Sequence, residues 1–439
     1  MGRSRTKINR EFELEIQGLA HDGRGVGRVD GKAVFVNGAL MGETVRVKQI
    51  GRNRHFDEAI TLEVLKASED RVVPRCQHFG VCAGCVLQHL AEDKQIEAKQ
   101  QVLIDNLARI GHVEAETILP PMVGDSWGYR RKGRLSVRYV EKKEKTLVGF
   151  REIDSRFVAD LSVCHTVIPE LGMRLPELSA LVDSLDAKRT IAQIEFIAGD
   201  GPVALIFRNL EALNESDTEK LKQFAIHSKF AVFLQPGGVS SVVALWPLET
   251  NLEFAIPKYN VRLAFKPLDF IQVNAALNQK MIDQAIALLD PQAGERVLDL
   301  FCGLGNFTLP LARSAASVVG VEGEAGLVAR ARENAVLNSI SNAEFYAADL
   351  AKDLSDEPWM QQGFDKLLLD PPRAGAAEVL AQMELKNISR IVYVSCHPAS
   401  LARDAGFLVR ERGYKLKAAG VMDMFPHTAH VESIALFEK

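Results

Sequence analysis

The clearest pattern in the chain is a series of short apolar runs after residue 265, each followed by a polar or glycine-rich turn. The runs cover residues 296–300, 317–322, 344–349, 367–370 and 391–396. Near-continuous apolar strands separated by helical segments are typical of a parallel sheet that is covered on both faces. The pattern predicts a Rossmann-like α/β domain over residues 265–439.

The N-terminal segment has a different pattern, because apolar and polar residues alternate in short runs over residues 8–66. Asp30-Gly31 lies between two of these runs and is a strong hairpin signal. Four or five short strands in fewer than sixty residues predict a small β-barrel of the oligonucleotide-binding type.

The middle of the chain, residues 71–260, is predicted to form a second, mostly β domain. Residues 91–111 form the exception, since Leu103, Leu107 and Ile110 recur at helical spacing and Gly111 can end the helix. From 129 to 260 the strand-like runs alternate with polar turns, which favours an antiparallel arrangement.

The amino-acid composition is typical of a globular protein. The 439 residues are 47% hydrophobic and 25% charged, without an apolar run long enough to span a membrane. The basic residues 1–10 lack the apolar core of a signal peptide, so we expect a cytoplasmic protein. Six cysteines in that compartment are expected to be thiols or metal ligands.

Positive charge is concentrated in one stretch, although the net charge is −4. Residues 130–145 hold eight basic and two acidic side chains, with Tyr129 and Tyr139 beside them. Such a stretch suits phosphates, with aromatic rings available for stacking on bases. A solvated strand face would have the same composition.

The first three strands of the C-terminal domain suggest a cofactor site. Gly303-Leu-Gly305 follows one strand, and Glu322 and Asp349 end the next two. Glycines allow close backbone approach to a ligand, and an acid after the second strand can accept hydrogen bonds from ribose hydroxyls. Without a third glycine for a pyrophosphate, a nucleoside such as S-adenosylmethionine fits best. Either acid alone could be a helix cap.

Cys396 ends the fifth apolar run, where a parallel sheet would carry its active site. A lone cysteine is more often a small buried filler than a nucleophile. Polar groups at all the preceding strand ends favour the functional interpretation.

Three thiols lie within ten residues, at Cys76, Cys82 and Cys85, and Cys164 is a candidate fourth ligand. Four thiolates suit either a zinc ion or an iron–sulfur cluster. The three-plus-one spacing departs from the paired Cys-x-x-Cys arrangement of structural zinc.

Four motifs together resemble the RNA (uracil-5-)-methyltransferase family. They are Asp299-Leu-Phe-Cys-Gly-Leu-Gly-Asn-Phe-Thr308, Leu369-Asp-Pro-Pro-Arg-Ala-Gly375, Val394-Ser-Cys396 and Asp423-Met-Phe-Pro-His-Thr-Ala-His-Val-Glu432. The likeness runs nearly end to end and is weakest at about 170–255. The motif from Cys76 to His89 resembles the [4Fe-4S] segment of the branch that acts on 23S ribosomal RNA.

The resemblance implies a role for each site residue. Cys396 is expected to be the nucleophile and Glu432 the general base. Asp370 is placed near either the methionine end of the cofactor or the uracil edge. The residues expected to bind S-adenosylmethionine are Gln272, Phe301, Asn306, Glu322, Asp349 and Asp370. One departure is His397, which stands where the family has Asn and could lower the pKa of the Cys396 thiol if it were protonated nearby.

Further expectations follow from the same resemblance. The N-terminal barrel is similar to a TRAM RNA-binding domain, with landmarks at residues 23–31 and 38–43. The metal is expected to be a [4Fe-4S] cluster held by the four cysteines, as a structural clasp. The partner is expected to be 23S ribosomal RNA with its target base flipped out, bound by a monomer.

Three competing functions remain open at this stage. A tRNA uracil methyltransferase would share the same catalytic motifs. An amino-group methyltransferase is suggested by Asp370-Pro-Pro, but Arg373 stands where an aromatic residue would stack on the base. A non-enzymatic RNA-binding or redox-sensing protein would leave the ordered strand-end acids unexplained.

Overall fold

The N-terminal segment forms a six-stranded barrel in a computed structural model that describes residues 10–439. Residues 8 and 9 of the predicted barrel, and most of the basic run at 1–10, lie outside that range. The strands are β1 (Glu11–Glu15), β2 (Gly18–Leu19), β3 (Gly25–Val29), β4 (Lys32–Asn37), β5 (Thr44–Arg52) and β6 (Phe56–Lys66). Their order in the sheet is β1-β5-β6-β4-β3-β2.

The predicted hairpin lies between β3 and β4. Asp30 and Gly31 have φ values of +49° and +80°, the left-handed backbone that a two-residue hairpin turn requires. The chain runs from β1 almost directly into β2, and the Gln17 N–H between them donates to the carbonyl of Val26 on β3. Because β1 pairs with β5 and β2 pairs with β3, this segment joins the two ends of the sheet. The barrel interior is small and aliphatic, as the alternating pattern predicts.

A helix follows the cysteine segment, as predicted for residues 91–111. It consists of α1 (Glu92–Asn106) and a π-helical turn (Leu107–Gly111). Leu103 and Leu107 are buried, whereas Ile110 is exposed. Gly111 allows a close approach to α9 (Pro398–Arg410), because a Cβ atom there would lie 2.5 Å from the carbonyl oxygen of Ala402.

The central domain contains a mostly antiparallel sheet, as predicted. Its strands are β8 (Lys132–Val140), β9 (Lys145–Gly149), β10 (Ile191–Ile197), β11 (Ala204–Asn209), β12 (Ala231–Leu234) and β13 (Val243–Trp246). The order is β13-β12-β11-β10-β8-β9, and only β11 and β12 run parallel. The helices of this region are α2 (Pro169–Gly172), α3 (Leu175–Asp183) and α4 (Glu215–Ser228). A hairpin of β14 (Glu253–Ile256) and β15 (Val261–Ala264) follows.

The C-terminal domain is a doubly wound α/β fold. Its strands are β16 (Arg296–Leu300), β17 (Ser317–Glu322), β18 (Ala343–Ala347), β19 (Lys366–Leu369), β20 (Arg390–Ser395), β21 (Lys415–Met422) and β22 (Glu432–Glu438). Its other helices are α5 (Ala275–Leu289), α6 (Thr308–Ala312), α7 (Ala325–Leu337) and α8 (Ala377–Gln382). All five predicted strands are therefore present.

The eight strands of this sheet have the order β18-β17-β16-β19-β20-β22-β21-β7. The edge strand β7 (Thr117–Ile118) comes from the segment after α1. Neighbouring residues point to opposite faces, so that Val297 joins one core and Leu298 the other. The segment around α1 thus packs into the catalytic half of the molecule. Within residues 10–439, no helix is both long and apolar enough to cross a bilayer.

Candidate active site

The carboxyl edge of the large sheet brings the predicted catalytic residues together. Cys396 directly follows β20, and Glu432 is the first residue of the antiparallel strand β22. The register pairs Ser395 with Ser433, which places Cys396 and Glu432 one step further along the same strand pair. Asp370 follows β19, the other neighbour of β20. The order of the strands in the sheet therefore brings Cys396, Glu432 and Asp370 to the same edge.

The glycine turn after β16 has the backbone geometry of a ligand cradle. Phe301, Gly303 and Gly305 have φ values of +65°, +57° and +96°, which only glycine adopts without strain. Phe301 is the exception, and strained residues of this kind concentrate at functional sites. The Gly303 N–H donates to Glu322 Oε2 over 3.2 Å. The turn and the acid of the next strand are thus joined directly.

Two more predicted cofactor residues lie beside this turn. Asn306 exchanges side-chain hydrogen bonds of 2.9 and 3.0 Å with Asn278 on α5. Gln272 lies in the segment that leads into α5, and its carbonyl accepts from Arg131 Nε over 2.9 Å. Asn306 is thus joined to α5 through Asn278, whereas the role of Gln272 toward a cofactor stays a prediction.

Asp349 differs from the other predicted cofactor residues. It lies just beyond β18, but its carboxylate is exposed, accepts from the Ala351 N–H over 3.1 Å and pairs with Lys352. This is a local turn, in which the side chain accepts from the backbone N–H two residues further on, rather than a helix cap. Its role toward a cofactor stays a prediction.

Three acids give the site its electrostatic character: Asp299 and Glu432 are buried, and Asp370 is half-buried. Burial raises the pKa of Asp299 to about 8 and that of Asp370 to about 7. Burial, with a contribution from Asp370, raises the pKa of Glu432 to about 8. A cationic ligand at this edge would stabilise the ionised acids. The site therefore fits a positively charged cofactor, and a group with a pKa near 8 can accept a proton close to neutral pH.

The Cys396 thiol is protonated in the free protein. Burial raises its pKa to about 11, and the carboxylates of Glu432 and Asp370 add to the effect. Arg373 acts in the opposite direction and is the cation that favours a thiolate. The sequence interpretation considered Arg373 only as a replacement for an aromatic residue and missed this role. Its position in the motif that ends β19, the strand beside β20, is the signal that could have found it.

His397 does not supply that cation. Its Nδ1 accepts from the Ser400 N–H over 3.3 Å, so the ring caps the N-terminus of α9. Partial burial and the nearby Arg373 lower its pKa, which keeps the ring neutral. Asn, which the family motif has at this position, is also a favoured helix-cap residue, so the substitution is compatible with the cap.

The four candidate metal ligands line one cavity. Cys76, Cys82 and Cys85 come from the loop before α1, and Cys164 comes from the central domain, 79 residues further along than Cys85. Gly172 makes this possible, because a Cβ atom there would lie 2.2 Å from the carbonyl oxygen of Cys164. The fold therefore brings together thiols that are far apart in the sequence.

The cavity combines four thiols with a backbone donor and a cation. The Gly84 N–H points to Cys82 Sγ over 3.4 Å, and Arg130 lines the same cavity. Burial and then the neighbouring Cys164 raise the pKa of Cys82 to about 11 and that of Cys85 to about 12. A metal would remove this penalty by binding the deprotonated sulfurs. Among residues 10–439, no three His, Cys, Asp or Glu side chains form a group that could hold a single metal ion.

The basic stretch at 130–145 forms part of β8 and the turn after it, but its aromatic residues are not free for stacking. Tyr129 is buried and donates to the carbonyl of Pro426 over 3.0 Å. The ring of Tyr139 is covered by the cations of Lys188 and Arg189. Stacking on these two rings, which the sequence suggested, is therefore not supported.

Comparison with known proteins gives a consistent result. A family model described as tRNA (uracil-5-)-methyltransferase matches residues 92–439, and a TRAM domain model matches residues 5–49. A Xanthomonas campestris pv. campestris protein named 23S rRNA (uracil(1939)-C(5))-methyltransferase RlmD is 66% identical, and both chains are covered in full. A protein of the same name from Stenotrophomonas maltophilia is 63% identical, again with complete coverage of both chains.

A solved structure has a similar fold. It is the Pyrococcus abyssi tRNA (uracil-54, C5)-methyltransferase in complex with S-adenosyl-L-homocysteine, with a TM-score of 0.73 and 23% identity. The alignment covers 97% of this chain and 100% of that one. At this level of identity the likeness shows a shared fold.

Proposed function

The chain belongs to the tRNA (uracil-5-)-methyltransferase family, and we propose that it methylates C5 of a uridine in 23S ribosomal RNA, with S-adenosylmethionine as methyl donor. The observation that carries this proposal is the juxtaposition of Cys396 and Glu432 at one end of the β20–β22 pair. The substrate follows from the full-length relatives named for uracil 1939 of 23S rRNA, and we assign the equivalent uridine to this enzyme.

The cofactor site is built around the glycine turn and the buried acids. S-adenosylmethionine supplies a methyl group on a positively charged sulfur. Glu322, already hydrogen-bonded to the Gly303 N–H, would hold the ribose. Asp370 would lie toward the cationic end, because burial raises its pKa and a nearby cation would favour its ionised form. We assign Gln272, Phe301, Asn306 and Asp349 to the same site.

Uracil C5 is too weak a nucleophile to attack the methyl group unaided. The thiolate form of Cys396, whose proton has passed to solvent, adds to C6, forming an S–C6 bond and moving the ring electrons toward the C4 oxygen as an enolate. C5 then takes the methyl carbon as the donor S–CH₃ bond breaks. Arg373 supports this step by favouring the thiolate.

Glu432 completes the reaction. After methyl transfer, its carboxylate removes the proton from C5, the C5–C6 double bond re-forms and the S–C6 bond breaks. The thiolate of Cys396 is thereby regenerated. The thiol thus serves the addition to C6, and the acid serves the proton removal that leads to release.

The RNA would be bound by the barrel together with the basic face of β8. Arg134 and Arg138 are exposed on that face, and phosphates are the groups that such side chains contact. The target base must leave its stack to reach Cys396, which lies partly buried at the sheet edge. We further propose that the protein acts as a monomer.

The four-cysteine cavity is proposed to hold a [4Fe-4S] cluster. Its support is the shared cavity, the backbone N–H directed at Cys82 Sγ and the positive charge of Arg130 beside it. The methyl transfer involves no net redox change, so the cluster would act by holding the cysteine loop against the central domain.

Mass mapping of 5-methyluridine in cells that lack the protein tests the proposal. The modification should disappear from 23S rRNA at the position equivalent to 1939 and return with the wild-type gene but not with Cys396→Ala. An unchanged 23S pattern together with a lost 5-methyluridine in tRNA would overturn the substrate assignment.

A further inference from the structure

Glu432 is preceded by a loop, residues 423–431, that connects β21 to β22. This loop carries the base toward Cys396, yet it contains only short-range hydrogen bonds of its own. The groups that hold it come from other parts of the chain. They include a buried lysine that the reaction as described does not use.

That lysine is Lys99 on α1, which is only 3% exposed. Its Nζ donates to Asp423 Oδ1 over 2.6 Å and to the carbonyl of Phe425 over 3.0 Å. A buried ion pair of this kind is weak evidence for stability, because apolar residues of similar size often replace one without loss. A role of Lys99 in fixing the geometry of the loop, or the charge beside it, explains the buried pair better.

A second residue of α1 lies one helical turn earlier. Gln95 Oε1 accepts from the His427 N–H over 2.9 Å, and Gln95 Nε2 lies 3.3 Å from His427 Nδ1. His427 has a φ of +65°, which costs a non-glycine residue roughly 1–3 kcal/mol. The surrounding contacts must therefore impose this backbone.

The cysteine loop supplies the third contact. The N–H groups of Val86 and Leu87, directly after Cys85, both donate to the carbonyl of His427 over 2.9 and 3.0 Å. With the bond from Tyr129 to Pro426, the loop is fixed at residues 423, 425, 426 and 427. Lys99 and Arg373, whose guanidinium lies 3.2 Å from His430 Nδ1, provide positive charge among the contacts to this loop, and only Lys99 is buried.

We propose that Lys99 is a positioning residue for Glu432, acting through the 423–431 loop in the step that removes the C5 proton and releases Cys396. This inference rests on the proposed function. Burial and Asp370 raise the pKa of Glu432, whereas Arg373 and Lys99 lower it. Cys396 faces the same carboxylate.

The consequence is specific to the second half of the reaction. Without Lys99, addition of the thiolate and methyl transfer still occur, because neither uses Glu432. Proton removal slows for two reasons. The loop that carries Glu432 is less well fixed, and the loss of a nearby positive charge raises the pKa of Glu432, so that less of it is the carboxylate that accepts the proton. The methylated RNA should then remain attached to Cys396.

Single-turnover reactions with a 23S rRNA fragment and S-adenosylmethionine test this. Lys99→Met should increase the fraction of denaturant-resistant protein–RNA adduct about tenfold, and Lys99→Arg should restore most of the wild-type partition. Lys94→Met is the matched control, because Lys94 lies on the same helix but is exposed and pairs only with Glu97. It should leave the partition unchanged.

If Lys99→Met instead caused a general loss of structure, product formation, RNA binding and thermal stability would fall together. No additional adduct would then accumulate. That outcome would overturn the proposal. If Lys99→Met does not fold, Gln95→Leu frees the same loop and should also accumulate adduct. If the wild-type protein makes no 5-methyluridine in 23S rRNA, the proposed function itself fails, which is distinct from a failure of Lys99.

Discussion

Cys396 and Glu432 lie at the same end of two antiparallel neighbours, one step beyond the Ser395–Ser433 pair of β20 and β22. The proposed nucleophile and base are thereby fixed by sheet hydrogen bonds rather than by a flexible loop alone. Strand-borne groups are held more precisely than loop-borne ones. This relationship explains how two residues 36 positions apart can serve one ring.

Arg373 should control the reactivity of the nucleophile. Arg373→Gln removes the cation that opposes burial, so the pKa of the Cys396 thiol should rise above its value of about 11. Iodoacetamide alkylation of Cys396, followed by mass spectrometry across a pH series, measures this. Arg373→Lys should stay close to wild type, and an equal alkylation rate in the Gln variant would contradict the assignment.

His397 should affect stability rather than the thiol. His397→Ala removes a helix cap and should cost about 1 kcal/mol of the free energy of unfolding, while His397→Asn should preserve it. Thermal unfolding measures the loss. Both variants should keep the pH dependence of Cys396 alkylation, and a shift in either would show that the ring does act on the sulfur.

Cofactor binding should release protons. In the free protein Asp370 and Asp299, with pKa values of about 7 and 8, hold protons near neutral pH, and a cation favours their ionised forms. The affinity for S-adenosylmethionine should therefore rise with pH up to about 8. Calorimetry in buffers of different ionisation enthalpy counts the protons.

S-adenosylhomocysteine is the matched control for that measurement, because its sulfur is neutral. Its affinity should depend less on pH. Equal pH dependence of the two ligands would mean that the acids do not face the sulfonium.

The fold and part of the site follow from the sequence. Apolar runs predict the parallel strands, and Asp30-Gly31 predicts its hairpin, because both depend on local pattern. The reactive residues at the ends of these strands are predicted for the same reason. The exchange of β22 and β21 in the sheet order and the edge strand β7 are not, since they depend on packing between distant segments.

The same limit applies to individual residues. The thiols at 76, 82 and 85 are visible as a group, but only the fold shows that Cys164 lines their cavity. His397 as a cap and Lys99 as a loop contact depend on side-chain directions that no spacing reveals. The prediction that Tyr129 is available for stacking was wrong, because its ring is buried against the 423–431 loop.

The metal should depend on all four thiols. Cys164→Ser should lower the iron and acid-labile sulfide of anaerobically purified protein to a small fraction of wild type, because a cluster needs four ligands. Cys302→Ala should retain both, since Cys302 lies outside that cavity. Stoichiometric zinc without sulfide in the wild-type protein would contradict the cluster assignment.

The most direct test of the account is the Glu432→Gln variant incubated with S-adenosylmethionine and a 23S rRNA fragment. A C5-methylated RNA should remain covalently bound to Cys396, visible as a denaturant-resistant complex and located by peptide mass spectrometry. Glu438→Gln, at the other end of β22, should turn over normally. Wild-type 5-methyluridine production by Glu432→Gln, or an adduct on any residue other than Cys396, would contradict the mechanism.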